Sequence, residues 1–143
     1  MSSHRSFCGV DYGTKRIGLA ISNAEGTIAS PLAAVDAAGP PDEVVRRVTD
    51  AVTDYDVKGW VVGLPLNMDG TEGPQARLVR TFGERLAAHT RQPVHYWDER
   101  LSSDAADSLM ARSSLTHKKK KARRDALAAQ VILQSFLDAQ SGG

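Results

Sequence analysis

Three acidic positions stand out by what surrounds them. Asp11 follows the apolar segment Phe7-Cys8-Gly9-Val10, and Asp98-Glu99 follows Val94-His95-Tyr96-Trp97. Asp125 opens a stretch in which Ala128, Ala129, Ile132 and Phe136 recur at helical spacing. A carboxylate among buried neighbours is costly unless it is paired, hydrogen-bonded or bound to a metal. Carboxylates converging from two strand ends and a covering helix form an oxygen set suited to hard cations, Mg²⁺ or Mn²⁺. Paired cations of this kind activate water and stabilise the leaving oxygen in phosphodiester cleavage. Each acid also has a plainer explanation. Asp11 can bind turn amides at Tyr12-Gly13-Thr14. Strand alternation sends Asp98 and Glu99 to opposite faces, so only one can point at a given site, and both can be solvated charges paired with Arg100. Asp125 can be an ordinary acid in the first turn of a helix, favoured there by the dipole.

Charge distribution supplies the second half of this chemistry. The 143-residue chain has 18 basic and 17 acidic residues, a formal net charge of +1. Between Arg112 and Arg124, seven residues are basic and none acidic: Arg112, Lys118, Lys119, Lys120, Lys121, Arg123 and Arg124. The rest of the chain holds 11 basic residues (18 less these 7) against all 17 acids, a balance of −6. A mildly acidic body with one dense basic segment invites a polyanion partner, and placed just before Asp125 the segment would hold a phosphate backbone beside the acids. Lys118 to Lys121, Arg123 and Arg124, together with Lys15, Arg16 and Arg100 next to the first two acidic positions, are therefore the candidate nucleic-acid contacts. The plainer alternative is a solvated loop.

Other chemistries find less support. Cys8 has no thiol partner and lies in a strand expected to be buried. His4, His89, His95 and His117 show no zinc spacing, and His95 reads as a packed or solvated strand residue. No P-loop or dinucleotide-binding glycine pattern occurs. The single cysteine requires no oxidising compartment, and no apolar run approaches the roughly 20 residues that span a bilayer. A cytoplasmic protein of one domain over 1–143, with no membrane partner, is expected.

The elements that must position the acids follow from the hydropathy pattern. Short strands are expected at Phe7 to Asp11, Ile17 to Ser22 and near Thr27 to Ala34, joined by tight turns as an antiparallel meander. Pro40 or Pro41 opens a helix carrying Val44, Val48, Ala51, Val52 and Tyr55 on its apolar face. Gly59 to Leu64 is a continuous apolar run, as in a buried parallel strand. A loop from Pro65 to Gly73 leads to a second helix, Gln75 to His89, with Leu78, Val79, Phe82 and Leu86 inward. Pro93 to Trp97 is the last strand. Ser102 or Ser103 caps a short helix to about Arg112, a disordered basic loop follows, and a final helix runs from about Asp125 to Leu137. The order β-β-β-α-β-α-β-α-α gives an α/β fold with a mixed five-stranded sheet flanked by helices.

Four segments in this order resemble the motifs of the YqgF/RuvX family: Gly9-Val10-Asp11-Tyr12-Gly13-Thr14-Lys15-Arg16-Ile17-Gly18; Val62-Gly63-Leu64-Pro65-Leu66-Asn67-Met68-Asp69-Gly70-Thr71-Glu72; Asp98-Glu99-Arg100-Leu101-Ser102-Ser103; and Asp125-Ala126-Leu127-Ala128-Ala129-Gln130-Val131-Ile132-Leu133. The likeness covers nearly the whole chain. It implies a ribonuclease H-like fold and a divalent-metal-dependent endonuclease, described for this family as a Holliday junction resolvase or as a nuclease processing the 5′ end of pre-16S ribosomal RNA. It also implies Asp11, Glu99 and Asp125 as the catalytic, metal-binding acids, which chooses Glu99 over Asp98. Asp69 is a weak candidate for a fourth acid. Arg124 departs from the pattern, since an apolar residue is expected before Asp125. The partners implied are structured RNA, branched DNA or ribosomal precursor particles, met by a monomer or homodimer. Two other classes compete. A non-catalytic RNA- or ribosome-binding module would use the basic segment alone, but three acids beside a polyanion repel it without metal. Asp11-Tyr12-Gly13-Thr14 also resembles the phosphate turn of actin-like nucleotide binders, which need two lobes where this chain supplies one.

Overall fold

The computed structural model of the protein describes residues 6–101 and 117–141. Strands β1 (Ser6–Tyr12), β2 (Arg16–Ser22) and β3 (Ala29–Asp36) form the meander, followed by helix α1 (Pro41–Ala51), β4 (Val57–Leu64), α2 (Pro74–Thr90), β5 (Val94–Asp98), a 3-10 turn (Glu99–Leu101) and α3 (His117–Ser141). The sheet order is β3-β2-β1-β4-β5. β1 runs antiparallel to β2 and parallel to β4, and β4 runs parallel to β5. The expected mixed five-stranded sheet is therefore present. Pro31 is accommodated because β3 is an edge strand.

Alternation along the strands divides the core in two. Cys8, Val10, Ile17, Leu19, Ile21, Trp60, Val62 and Leu64 face α1 and α2, which contribute Val44, Val45, Val48, Val79, Phe82 and Leu86. Ala20, Ala29 and Val61 face α3, which contributes Ala129, Ile132, Leu133, Phe136 and Leu137, with Phe7 and Trp97 packed alongside. Burying each large side chain contributes about 1.5–3 kcal/mol, so the buried residues between Ala126 and Leu137 hold α3 to the sheet. Both α1 and α2 begin with proline, whose missing N–H would be unsatisfied at a helix start in any case.

Several boundaries differ from the sequence-based expectation. α1 ends at Ala51, so Tyr55 lies beyond it and is 43% exposed. Leu78 is 48% exposed and flanks the inward face of α2 without joining it. The basic segment is not a loop from His117 onward: α3 starts there and continues unbroken through Asp125. Lys, Arg and Ala are strong helix formers, and no Gly or Pro interrupts 117–141, so the helix extends through the charge run. Asp125 thus stands about two turns inside α3 rather than in its first turn, and the helix-dipole explanation for it lapses. The short helix expected from Ser102 or Ser103 to Arg112, and the two terminal glycines, lie outside the described residues. Among the described residues, no helix is long and apolar enough to cross a membrane.

Candidate active site

Asp11, Glu99 and Asp125 approach one another on the α3 face of the sheet, near enough for Asp11 to feel or be felt by both others, and glycines are what lets them. Asp11 lies near the end of β1 and pairs across the ladder with Gly18 of β2. On its other side, one residue beyond the Val10–Val62 pair, stands Gly63 of β4. A side chain on Gly18 would collide with the backbone carbonyl of Asp125. A Cβ on Gly63 would lie 2.5 Å from Ile132 Cδ1, 2.9 Å from Glu99 Oε2 and 3.0 Å from Glu99 Cγ. A Cβ on Gly9, two residues before Asp11 on the same face, would lie 2.7 Å from Leu133 Cβ and 2.8 Å from the Ala129 carbonyl. Asp11 is therefore flanked in its row by two glycines, with Asp125 seated over one and Glu99 over the other. Glycine inside a strand weakens it and marks close approach of another chain segment, which is what α3 does here.

Asp11, Glu99 and Asp125 are all half-buried. Burial first, and the charge of Asp125 second, lift the Asp11 carboxyl from its ordinary 3.8 to about 6. Burial, followed by the charges of Asp11 and Asp98, lifts Glu99 from 4.5 to about 7. Asp11 is thus electrostatically coupled to both other acids. Among the described residues no group of three or more His, Cys, Asp or Glu side chains is disposed to hold a metal ion, so the three acids approach one another without closing on a common point. The set is open, as expected of like charges that repel. Asp125 also has a cationic partner: Arg16 Nε donates to its Oδ2 at 2.6 Å.

Asp98 and Glu99 diverge. Asp98 ends β5 and accepts from Arg100, through the backbone N–H at 2.9 Å and Nη2 at 2.7 Å. These bonds hold its carboxyl below the ordinary value. Glu99 enters the 3-10 turn and folds over Gly63. Asp69 is not part of this group. It is exposed, and its carboxylate accepts from the Thr71 hydroxyl at 2.6 Å and the Thr71 amide at 3.0 Å, closing the turn at Gly70.

The candidate nucleic-acid contacts are placed unevenly. Lys15 is exposed, Arg16 is bound to Asp125, and Arg100 is bound to Asp98 with its Nη1 3.2 Å from the Met68 carbonyl. Lys118, Lys119, Lys120, Lys121 and Arg123 occupy the first turns of α3. Arg124 is exposed, so its departure from the family pattern affects no core position. Lys121 precedes Asp125 by one turn, about 6 Å along the axis. Cys8 is fully buried, and burial pushes its thiol far above the ordinary value, which excludes it as a nucleophile. His95 packs between Phe7 and Phe136, with ring centroids 5.9 and 5.3 Å away.

Sequence reasoning missed Gly9, Gly18 and Gly63 as the floor of the site. Their position inside otherwise apolar strands was the available signal. It also missed the Arg16–Asp125 pair, whose members lie 109 residues apart.

The chain is similar to known proteins along nearly its whole length. It is 41% identical over 132 residues to a protein of Pelotomaculum thermopropionicum, covering 92% of this chain and 86% of that one. It is 44% identical over 130 residues to a protein of Anaeromyxobacter dehalogenans, covering 91% and 94%. Both relatives carry the name "Putative pre-16S rRNA nuclease". Among solved structures it is similar to T. thermophilus RuvC in complex with a Holliday junction substrate, at a TM-score of 0.58 and 17% identity, over 97% of each chain. That likeness gives the sheet and its covering helices as the ribonuclease H-like fold. The family model described as "RuvX: Holliday junction resolvase" matches residues 5–139, and the chain belongs to this nuclease family.

Proposed function

We propose that the protein is a divalent-metal-dependent endonuclease that cleaves phosphodiester bonds in structured RNA, at the 5′ end of the 16S ribosomal RNA precursor, with Asp11, Glu99 and Asp125 as its catalytic acids. The observation that carries this reading is the row Gly18–Asp11–Gly63, which seats two distant acids on either side of a third. Three partly buried carboxylates are oxygen donors of the kind that hard cations such as Mg²⁺ or Mn²⁺ take. Bound there, the cations would supply an activated water and charge stabilisation for the leaving oxygen. The chain's own part is to hold the donors. Asp11 is fixed by its place in the central strand, Glu99 by the 3-10 turn over Gly63, and Asp125 by the packed second half of α3. The basic turns of α3, just before Asp125, are suited to phosphate charge and carry no information on base identity. They favour catalysis over a binding-only module because the acids beside them would otherwise repel the same backbone.

RNA as substrate is supported by the names of the relatives. Branched DNA is the second reading, supported by the family description and by the junction-bound structural neighbour. Ribosomal precursor particles in the cytoplasm are the setting that the first reading requires. Cleavage of a 16S precursor and of a four-way DNA junction, each with Mg²⁺, Mn²⁺ or chelator, separates the two. Metal-dependent cutting of the RNA at a defined 5′ position, lost in Asp11→Asn, is the expected result. Cleavage of neither substrate, or equal cleavage by Asp11→Asn, would overturn the assignment.

A further inference from the structure

The Asp125 carboxylate is gripped by a residue that the proposed chemistry does not use. Arg16 begins β2, two residues before Gly18 and so on the same face, and reaches across to the helix seated on that glycine. Its backbone is tightly set. A Cβ on Gly13 would lie 2.6 Å from the Arg16 carbonyl oxygen, the Lys15 carbonyl accepts from the Ala37 amide at 3.0 Å, and the next residue, Ile17, is fully buried. The guanidinium therefore projects from the start of β2, beside a backbone that pairs with Ala37 and ahead of a buried Ile17. Its Nε engages Oδ2 of Asp125 at 2.6 Å, with the carboxylate 22% and the arginine 41% exposed. A carboxylate has about four acceptor positions, so this bond leaves capacity for a cation. The arginine also offsets the negative charge that Asp125 sets beside Asp11, and its planar fork fixes orientation in a way that a lysine ammonium does not.

We infer that Arg16 is a positioning residue for divalent-metal binding: it orients the Asp125 carboxylate toward the site that Asp11 and Glu99 share. The inference rests on the proposed metal-dependent reading. Partners behind a metal-ligating carboxylate typically change metal affinity by about 10- to 100-fold when removed. A merely structural clamp between β2 and α3 would change thermal stability and leave affinity alone. A competitor for the carboxylate would, on removal, tighten metal binding.

The test is calorimetric titration of Mn²⁺ alone into the nucleic-acid-free protein, with melting temperatures alongside, for wild type, Arg16→Gln, Arg16→Lys and Asp11→Asn. Arg16→Gln is expected to weaken Mn²⁺ binding by about 10- to 100-fold, and Arg16→Lys to fall between it and wild type. Wild-type affinity in both arginine variants, with only a lowered melting temperature, overturns the inference, and so does tighter binding in either. If Arg16→Gln does not fold, Arg16→Lys decides: weaker binding supports a positioning role and unchanged binding refutes it. Asp11→Asn separates the two failures. Unchanged binding in that variant sinks the metal reading and the inference with it. Loss there beside unchanged arginine variants sinks the inference alone.

Discussion

The two faces of the sheet are packed by different means. Toward α1 and α2, Val10, Ile17, Leu19, Trp60 and Val62 meet Val44, Val48, Val79, Phe82 and Leu86. Large side chains hold those helices at a distance, so that a change of volume there costs packing without moving the Asp11 row. Toward α3 the strands offer Gly9, Gly18, Ala20 and Gly63, and the helix packs close on them. The glycines cost strand stability, roughly 0.5–1 kcal/mol each relative to alanine. In exchange, the backbone of α3 comes against Gly18 and Gly9 directly, and the Ile132 and Glu99 side chains against Gly63. One face is packed by large side chains, and the other brings the charges of Glu99 and Asp125 within reach of Asp11.

The largest expected effect is at the acids. Asp11→Asn keeps the shape of the residue and removes a charged donor. Nuclease activity should fall by about two to four orders of magnitude, while circular dichroism and melting of the metal-free protein show a fold at least as stable.

The next pair of variants tests the comparison itself. Gly18→Ala places a methyl into the Asp125 carbonyl, which should destabilise by about 1–3 kcal/mol and lower kcat by about a hundredfold as α3 shifts. Val48→Ala removes volume from the fully buried opposite face. It should lose a similar 1–3 kcal/mol yet keep kcat near wild type at a temperature where both variants are folded. Equal loss of kcat in the two would show that the faces do not differ in how they transmit displacement.

A third test uses pH. In the folded protein Asp11 titrates near 6 and Glu99 near 7, both above their ordinary 3.8 and 4.5. The folded state therefore binds these protons more tightly than the unfolded chain. Stability from this pair is greatest below about pH 4 and declines as pH rises to about 7. Metal-free wild type should lose stability relative to Asp11→Asn across that window, on the order of 1–2 kcal/mol, measured by urea unfolding at pH 4.5 and 7.5. A constant difference between the two proteins would mean that Asp11 is not held at the expense of its charge.

The smallest effect is expected from the first turns of α3. Replacing Lys118 to Lys121 with Gln should leave melting nearly unchanged and weaken nucleic-acid binding across sequences. The slope of log affinity against log salt should flatten by about 0.9 for each lost phosphate contact on duplex DNA, or about 0.7 on a single strand. An unchanged slope would assign those turns to solvent.

The succession of elements along the chain, the parallel and antiparallel halves and the identity of the main helices were legible in the sequence, because alternation, helical periodicity and proline or glycine breaks are local signals. The three acids were legible as candidates for the same reason: each follows or opens an apolar run. Local pattern could not choose between Asp98 and Glu99, and it misplaced the start of α3. A run of charged residues carries no apolar periodicity, so only its helix-forming residue types spoke for the extension. The glycine floor was visible as isolated glycines in strands, without the segment that would approach them. What only the tertiary structure decided is the meeting itself. Gly18 and Asp125, Gly63 and Glu99, and Arg16 and Asp125 are brought together by sheet register and by the docking of α3. Contacts across 36 to 109 residues of chain arise from the whole core rather than from any window of sequence.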